Sequence, residues 1–163
     1  MVSYSIRQAT ARDHLAISIL LNTNFEGPSE GRLVQDLRSQ GVLTLEAVAV
    51  DGDALVGHIA FSNLEAPEGW AALSPVSVRW DRRETGIGSA LVQYGLDQLR
   101  QQHVPGIVVL GDPQFYRRFG FSLAAARNLK TPYPADNFML FPIGPDVSGS
   151  THEVIYPRAF RYL

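Results

Sequence analysis

The sequence of 163 residues contains no cysteine, which excludes disulfides, thiolate nucleophiles and cysteine-ligated metals. Lysine is almost absent too: Lys130 stands alone beside thirteen arginines, which removes Schiff-base chemistry and a Walker-type phosphate lysine. No run of about 18 apolar residues occurs, and residues 1–13 lack the apolar core of a signal peptide, so a cytoplasmic chain with no membrane partner is expected. Neither sign of charge dominates. With a net charge of −2 there is no basic field to hold nucleic acid, and no such partner is expected. The four histidines, His14, His58, His103 and His152, have no metal-ligand spacing, and no metal site is expected. What the chain does have is 45% hydrophobic and 18% charged residues, the balance of a globular protein. The length fits one domain over residues 1–163.

The coarse reading is α/β, or mixed α+β. A short strand at residues 3–7 precedes Thr10 and Asp13, a capping start for a helix through Leu21. A second helix runs from Ser29 to Arg38, with Leu33, Val34 and Leu37 on one face. Residues 45–50 and 54–61 flank Asp51-Gly52-Asp53 as a hairpin. Residues 70–79 are extended but carry Pro75, which marks a bulge or an edge. Helical spacing returns over 88–100, followed by an apolar strand at 107–110, so these two strands lie parallel across a helical crossover. Strand-like residues 137–143 and 152–156 are expected to pair with each other.

The segment from Val76 to Leu91 runs from strand to charged loop to glycines to helix. Free amides at a helix start, the positive end of its dipole, and Gly86 and Gly88 make an anion cradle, with Arg82 and Arg83 beside it. A nucleoside triphosphatase loop needs Gly-Lys-Ser/Thr, whereas Gly88 is followed by Ser89 and Ala90. A dinucleotide fingerprint needs a third glycine where Leu91 stands. A tight packing turn is the third reading.

Arg83-Glu84-Thr85-Gly86-Ile87-Gly88, with Ala90-Leu91, resembles the acyl-CoA motif of the GNAT N-acetyltransferases, Gln/Arg-x-x-Gly-x-Gly/Ala. Phe115-Tyr116-Arg117-Arg118-Phe119-Gly120-Phe121 is similar to the family's second hallmark, Phe-Tyr-Glu-Lys-x-Gly-Phe, at the family's order and spacing. Ile6 to Thr10 with Asp13, and Gly57-His58, fit the family's opening elements. Val109 to Pro113 and Val154 to Phe160 are similar to its YhbS-like branch.

The resemblance implies a mixed sheet splayed between its fourth and fifth strands, with acetyl-CoA as cosubstrate in the gap. Backbone groups of Val76, Ser77 and Val78 would pair with the pantetheine amides, and Arg83, Glu84, Thr85, Gly86, Ile87, Gly88 and Ser89 would surround the pyrophosphate. Tyr116 falls on the tyrosine that protonates the departing sulfur. A tyrosine near pKa 10 stays protonated at neutral pH, against roughly 8.5 for a thiol. A structural role for its ring, with the hydroxyl tethered, is the alternative. The amide of Val76 or Val78 is the candidate oxyanion donor. Candidates for the base are His58, Glu65, Glu68 and Asp112, none with motif support; a lone strand histidine such as His58 is more often a core residue, and Glu65 or Glu68 more often a solvated loop charge.

Three departures from the family pattern stand out. Trp80 replaces a usual proline, the asparagine expected at position 109 is Val109, and Arg117 and Arg118 replace Glu-Lys, facing either a phosphate or solvent. The acceptor, a small-molecule or peptide amine, would meet residues 24–28, 64–69 and 126–136, with Phe25, Trp70 and Tyr133 at the mouth or in packing. The alternatives are a CoA-binding or partner-interaction module without catalysis, and transfer to a protein or from a longer acyl donor. Monomer and homodimer are both open, since the run Phe138-Met139-Leu140-Phe141 suits an interface or a core.

Overall fold

A computed structural model describes residues 3–25 and 27–162. Six strands form one sheet in the order β1-β2-β3-β4-β5-β7. They are β1 Ser5–Gln8, β2 Leu43–Asp51, β3 Ala54–Asn63, β4 Ala71–Val78, β5 Gly106–Leu110 and β7 Phe138–Pro142. Within this sheet β4 and β5 are the parallel neighbours, as their helical crossover requires, and the other neighbours are antiparallel. A separate parallel pair joins β6 Leu129–Lys130 to β8 His152–Glu153.

Helices α1 His14–Asn24 and α2 Ser29–Ser39 cover one face of the sheet, burying Ile17, Leu21 and Val34 against Val48. The entry to α1 is a capping box in which Asp13 accepts from the Thr10 amide at 2.8 Å and from Arg7 at 2.7 Å and 2.9 Å. Helix α3 Ile87–Gln101 packs on the other face through Ile87, Leu91, Leu96 and Leu99. Gly95 is the point of closest approach: a Cβ there would lie 2.2 Å from a ring carbon of Phe61. After β5 comes α4 Pro113–Tyr116, a single turn capped by Asp112, whose carboxylate accepts from the Gln114 amide at 2.9 Å.

The C-terminal third departs from the sequence expectation. Strand β7 pairs antiparallel with β5 over five residues, and β8 pairs with β6. Phe138, Met139, Leu140 and Phe141 are all buried, so β7 needs a sheet position covered on both faces, while His152 and Glu153 are exposed. The apolar run is therefore core.

Pro75 does mark a bulge. Phe61 pairs with Leu73 and Ile59 with Val76, so Ser74 and Pro75 together oppose Ala60. Beyond it β4 leaves its other neighbour: β4 and β5 pair only at Ala71–Ile107 and Ala72–Val108. The sheet opens into a gap at this point.

Candidate active site

The phase of the β3–β4 ladder decides which backbone groups face the gap. The Arg79 amide donates to the Val56 carbonyl at 2.8 Å, which makes His58 and Ser77 a hydrogen-bonded pair. Val76 and Val78 therefore turn their amides and carbonyls away from β3, toward the opening. Ser77 does the reverse, and this corrects its expected place in a backbone pairing with pantetheine. Its hydroxyl instead accepts from Asn24 Nδ2 at 2.5 Å, and the same Nδ2 donates to the Val78 carbonyl at 2.7 Å. That leaves both groups of Val76 and the amide of Val78 on the open edge.

The glycine loop delivers the start of α3 to the same opening. Gly86, at φ +87°, occupies the left-handed region that glycine enters without cost and forms the N-cap. The first intrahelical bond runs from the Ala90 amide to the Gly86 carbonyl at 3.0 Å, so the amides of Ile87, Gly88 and Ser89 point out of the helix start unpaired within it. Ile87 is 2% exposed and anchors this turn through its side chain. The hydroxyl of Thr85 donates to the Arg82 carbonyl and closes the loop. Trp80 stands in a 3-10 turn over Trp80–Arg82, so the missing proline leaves the approach to the loop intact.

The arginines divide by partner. Arg82 is paired with Asp51 and Arg79 with Asp81, each at 2.7 Å. Arg83, among the described residues, has no ion pair and lines the cleft. Arg118 reaches back to it, donating to the Ser89 hydroxyl at 3.2 Å, with its guanidinium 4.8 Å from the Phe115 ring centroid. Arg83, Gly86, Gly88, Ser89, Phe115 and Arg118 border a cavity of about 350 Å³. It shares Val78, Arg83, Gly88 and Phe115 with a second, of about 290 Å³, that extends to Asn24, Phe25 and Val76. The result is one groove from a cationic helix start to the open strand edge.

Tyr116 ends the single turn α4 that follows β5 and packs into the core beside Phe115. It is 9% exposed, edge-on to Phe115 at 4.9 Å and to Phe121 at 5.6 Å. Its ring lies over Gly111, where a Cβ would come 2.5 Å from a ring carbon. Burial pushes its hydroxyl up to about 12.

None of the four candidate bases lines the groove. Asp112 caps α4, and Glu68 is exposed on the loop before β4. Glu65 borders a separate groove with Arg158 and Arg161. His58 is fully buried, its Nε2 2.7 Å from Glu46 Oε2, and that carboxylate also takes Arg38 at 2.7 Å and 3.0 Å. Burial alone would raise Glu46, but the hydrogen bonds from His58 and Arg38 outweigh it and bring the carboxyl down to about 2. Of the residues expected at the mouth, Phe25 lines the groove and Tyr133 a pocket on the opposite face, while Trp70 is 4% exposed in the core. Glu26 lies outside the described residues. Asn24 falls in the stretch expected to meet the acceptor, while Gly111, Phe115, Tyr156 and Phe160 have no role in the sequence reading of the site.

A sheet splayed between β4 and β5, with free helix-start amides at the opening, defines an acyl-CoA-binding fold. The model of the acetyltransferase (GNAT) family matches residues 15–121, and the chain belongs to that family. It is 36% identical to YhbS of Escherichia coli strain K12, named an uncharacterized N-acetyltransferase, over 96% of this chain and 98% of the relative. The crystal structure of E. coli YhbS in complex with CoA superposes with a TM-score of 0.90 at 34% identity, covering 99% of this chain and 93% of that one. A GNAT family acetyltransferase of Brucella melitensis, solved with acetyl-CoA, gives a TM-score of 0.82 at 34% identity over 96% and 97%. The protein is an acetyl-CoA-dependent N-acetyltransferase. Among the described residues no helix is long and apolar enough to cross a membrane.

Proposed function

We propose that the protein transfers the acetyl group of acetyl-CoA to a primary amine by direct attack, with Tyr116 as general acid. What supports the reading is the groove that joins the helix-start amides to the free edge of β4, with Phe115 on its lining and Tyr116, the next residue, buried over Gly111 just past the end of β5. The amides of Ile87, Gly88 and Ser89, with Arg83 and Arg118, hold the pyrophosphate, and Glu84, Thr85 and Gly86 shape the loop that presents them. Val76 and Val78 pair with the pantetheine amides as an added strand would. Ser77 acts through Asn24, which steadies the strand end. The amide of Val76 or Val78 stabilises the oxyanion.

In the transfer, the amine lone pair forms the new C–N bond and the C–S bond breaks with its electrons on sulfur. Tyr116 gives its proton to that sulfur, the proton lost from nitrogen leaves to solvent, and Tyr116 is reprotonated from water. A thiol near 8.5 is normally the stronger acid than a tyrosine near 10, by about 2 kcal/mol, and burial raises both in the same surroundings. Tyr116 therefore stays protonated at neutral pH and hydrogen-bonds the developing thiolate; the transfer itself runs uphill and is completed by the reprotonation of Tyr116 from water.

Calorimetric titration with acetyl-CoA, combined with turnover, tests the reading. The wild type is expected to bind and Gly86→Glu to lose binding, because a carboxylate meets the helix start in a left-handed backbone. Tyr116→Phe should keep its affinity and lose about 10²–10⁴-fold in kcat. Full turnover by Tyr116→Phe would sink the acid role, and a wild type that does not bind would sink the placement of the cosubstrate.

A further inference from the structure

A further pocket of about 220 Å³ is lined by Tyr133, Tyr156, Phe160 and Leu110 on the sheet face away from α3, and by Ser74 and the core residue Leu73 at the break between the strands. Alternation along β5 places it. Ile107 and Val109 pack into the core under α3 and Val108 into the opposite one, so Leu110 shares the face of Val108. Leu73 and Ser74 stand at the β4 bulge where the strands part. The pocket and the groove thus reach the same break in the sheet from its two faces.

The lining carries no aspartate, glutamate, lysine or arginine. Three rings form a wall: Tyr133 meets Tyr156 at 5.2 Å and 87°, and Tyr156 meets Phe160 at 5.0 Å and 62°. Leu110 is 41% exposed and leaves an apolar surface in the same pocket. Among the described residues the hydroxyls of Ser74, Tyr133 and Tyr156 make no hydrogen bond, so polar partners for an amino nitrogen are at hand. Burial pushes both tyrosine hydroxyls upward, and neither carries charge at neutral pH.

We infer that this pocket is the acceptor subsite and that it takes a small primary arylalkylamine bearing neither a carboxylate nor a second cationic group. The inference rests on the transfer reading above. An amino-acid carboxylate would need a cation in the lining to replace its water, and a polyamine would need carboxylates. The volume falls below the roughly 300–1,000 Å³ of sites for drug-sized molecules, which excludes large polycyclic or saccharide amines. An aryl ring, by contrast, continues the edge-to-face series of the wall, and its alkyl arm carries the nitrogen toward the gap.

The test compares 2-phenylethylamine, spermidine and phenylalanine as acceptors, following thiol release from acetyl-CoA by wild type and Leu110→Asp. Because Leu110 is exposed the variant should fold, which a melting curve checks. The expected result is kcat/KM for 2-phenylethylamine about tenfold or more above the other two, with its KM raised about tenfold or more in Leu110→Asp and acetyl-CoA affinity unchanged. Equal or better use of spermidine or phenylalanine overturns the inference, as does an unchanged KM in the variant. Calorimetry of 2-phenylethylamine with the CoA-saturated protein separates pocket from chemistry. Binding that Leu110→Asp abolishes, without turnover, supports the pocket and refutes the transfer reading. Turnover of another amine without such binding refutes the pocket and leaves transfer standing, and neither binding nor turnover also refutes the pocket.

Discussion

Gly111→Ala tests the role of Tyr116 without touching its hydroxyl. Gly111 has a backbone conformation open to any residue, so alanine brings no backbone strain, only a Cβ at 2.5, 3.1 and 3.5 Å from three ring atoms of Tyr116. Carbon atoms rest at about 3.5 Å or more, so the ring must withdraw by about 1 Å. A displacement of that size in a reacting group costs about 100-fold in rate. That is about 2.7 kcal/mol of transition-state stabilisation. The assay is kcat from free-thiol release, with acetyl-CoA affinity by calorimetry and a melting curve as control. We expect kcat to fall about 100-fold at unchanged affinity, and Gly111→Ala/Tyr116→Phe to be no slower than Tyr116→Phe alone, because both changes remove the same contribution. Wild-type kcat in Gly111→Ala, or a further 100-fold loss in the double variant, would refute the reasoning.

Gly95→Ala should lower stability by about 2 kcal/mol although alanine favours a helix interior, because its Cβ would lie 2.2 and 2.3 Å from Phe61 ring carbons. A Tm lower by about 4–8 °C is expected, and a raised Tm would contradict the packing. Glu46, held below its ordinary 4.5 at about 2, stabilises the fold above the ordinary carboxylate range, and this contribution is lost as pH falls from about 4.5 through about 2. Glu46→Gln should flatten that slope in urea unfolding and cost about 3 kcal/mol at neutral pH by leaving Arg38 unpaired, and an unchanged slope would contradict it. With no candidate base lining the groove, kcat/KM should rise tenfold per pH unit below the acceptor's own pKa and bend there, moving with the acceptor. A bend fixed near neutral pH for every acceptor would point to a protein base.

The sheet order through β5 was legible because each element announces itself locally. The Asp51-Gly52-Asp53 turn, the helical spacing over 88–100 and the proline in β4 each act within a few residues of where they are read. The C-terminal third gave way for a different reason. An apolar run such as Phe138 to Phe141 says that a strand is buried on both faces, but nothing in it names the neighbour. The vacant side of β5, which only the crossover through α3 creates, decides that, and His152 and Glu153 are left to pair with a two-residue strand too short to show a period.

The helix start on the groove was legible for the same local reason, since its unpaired amides are the consecutive ones from 87 to 89 and so travel whole in the sequence. The groove's other wall is made by register. Whether Val76 and Val78 or Ser77 face the gap depends on which β3 residue each opposes, and a shift of one residue would exchange them. Asn24 reaches the Val78 carbonyl across 54 residues. The pocket on the far face is more dispersed still, drawing on two strand ends, a loop and the C-terminal tail. Carboxylates mislead for the complementary reason: chain position brings Glu65, Glu68 and Asp112 near the fourth and fifth strands, while folding gives Asp112 to a helix cap and turns Glu65 to another groove. Among the described residues the one carboxylate lining the groove is Glu84, on the loop before α3, so the proton of the amine is expected to leave to solvent and the pH profile to follow the acceptor itself.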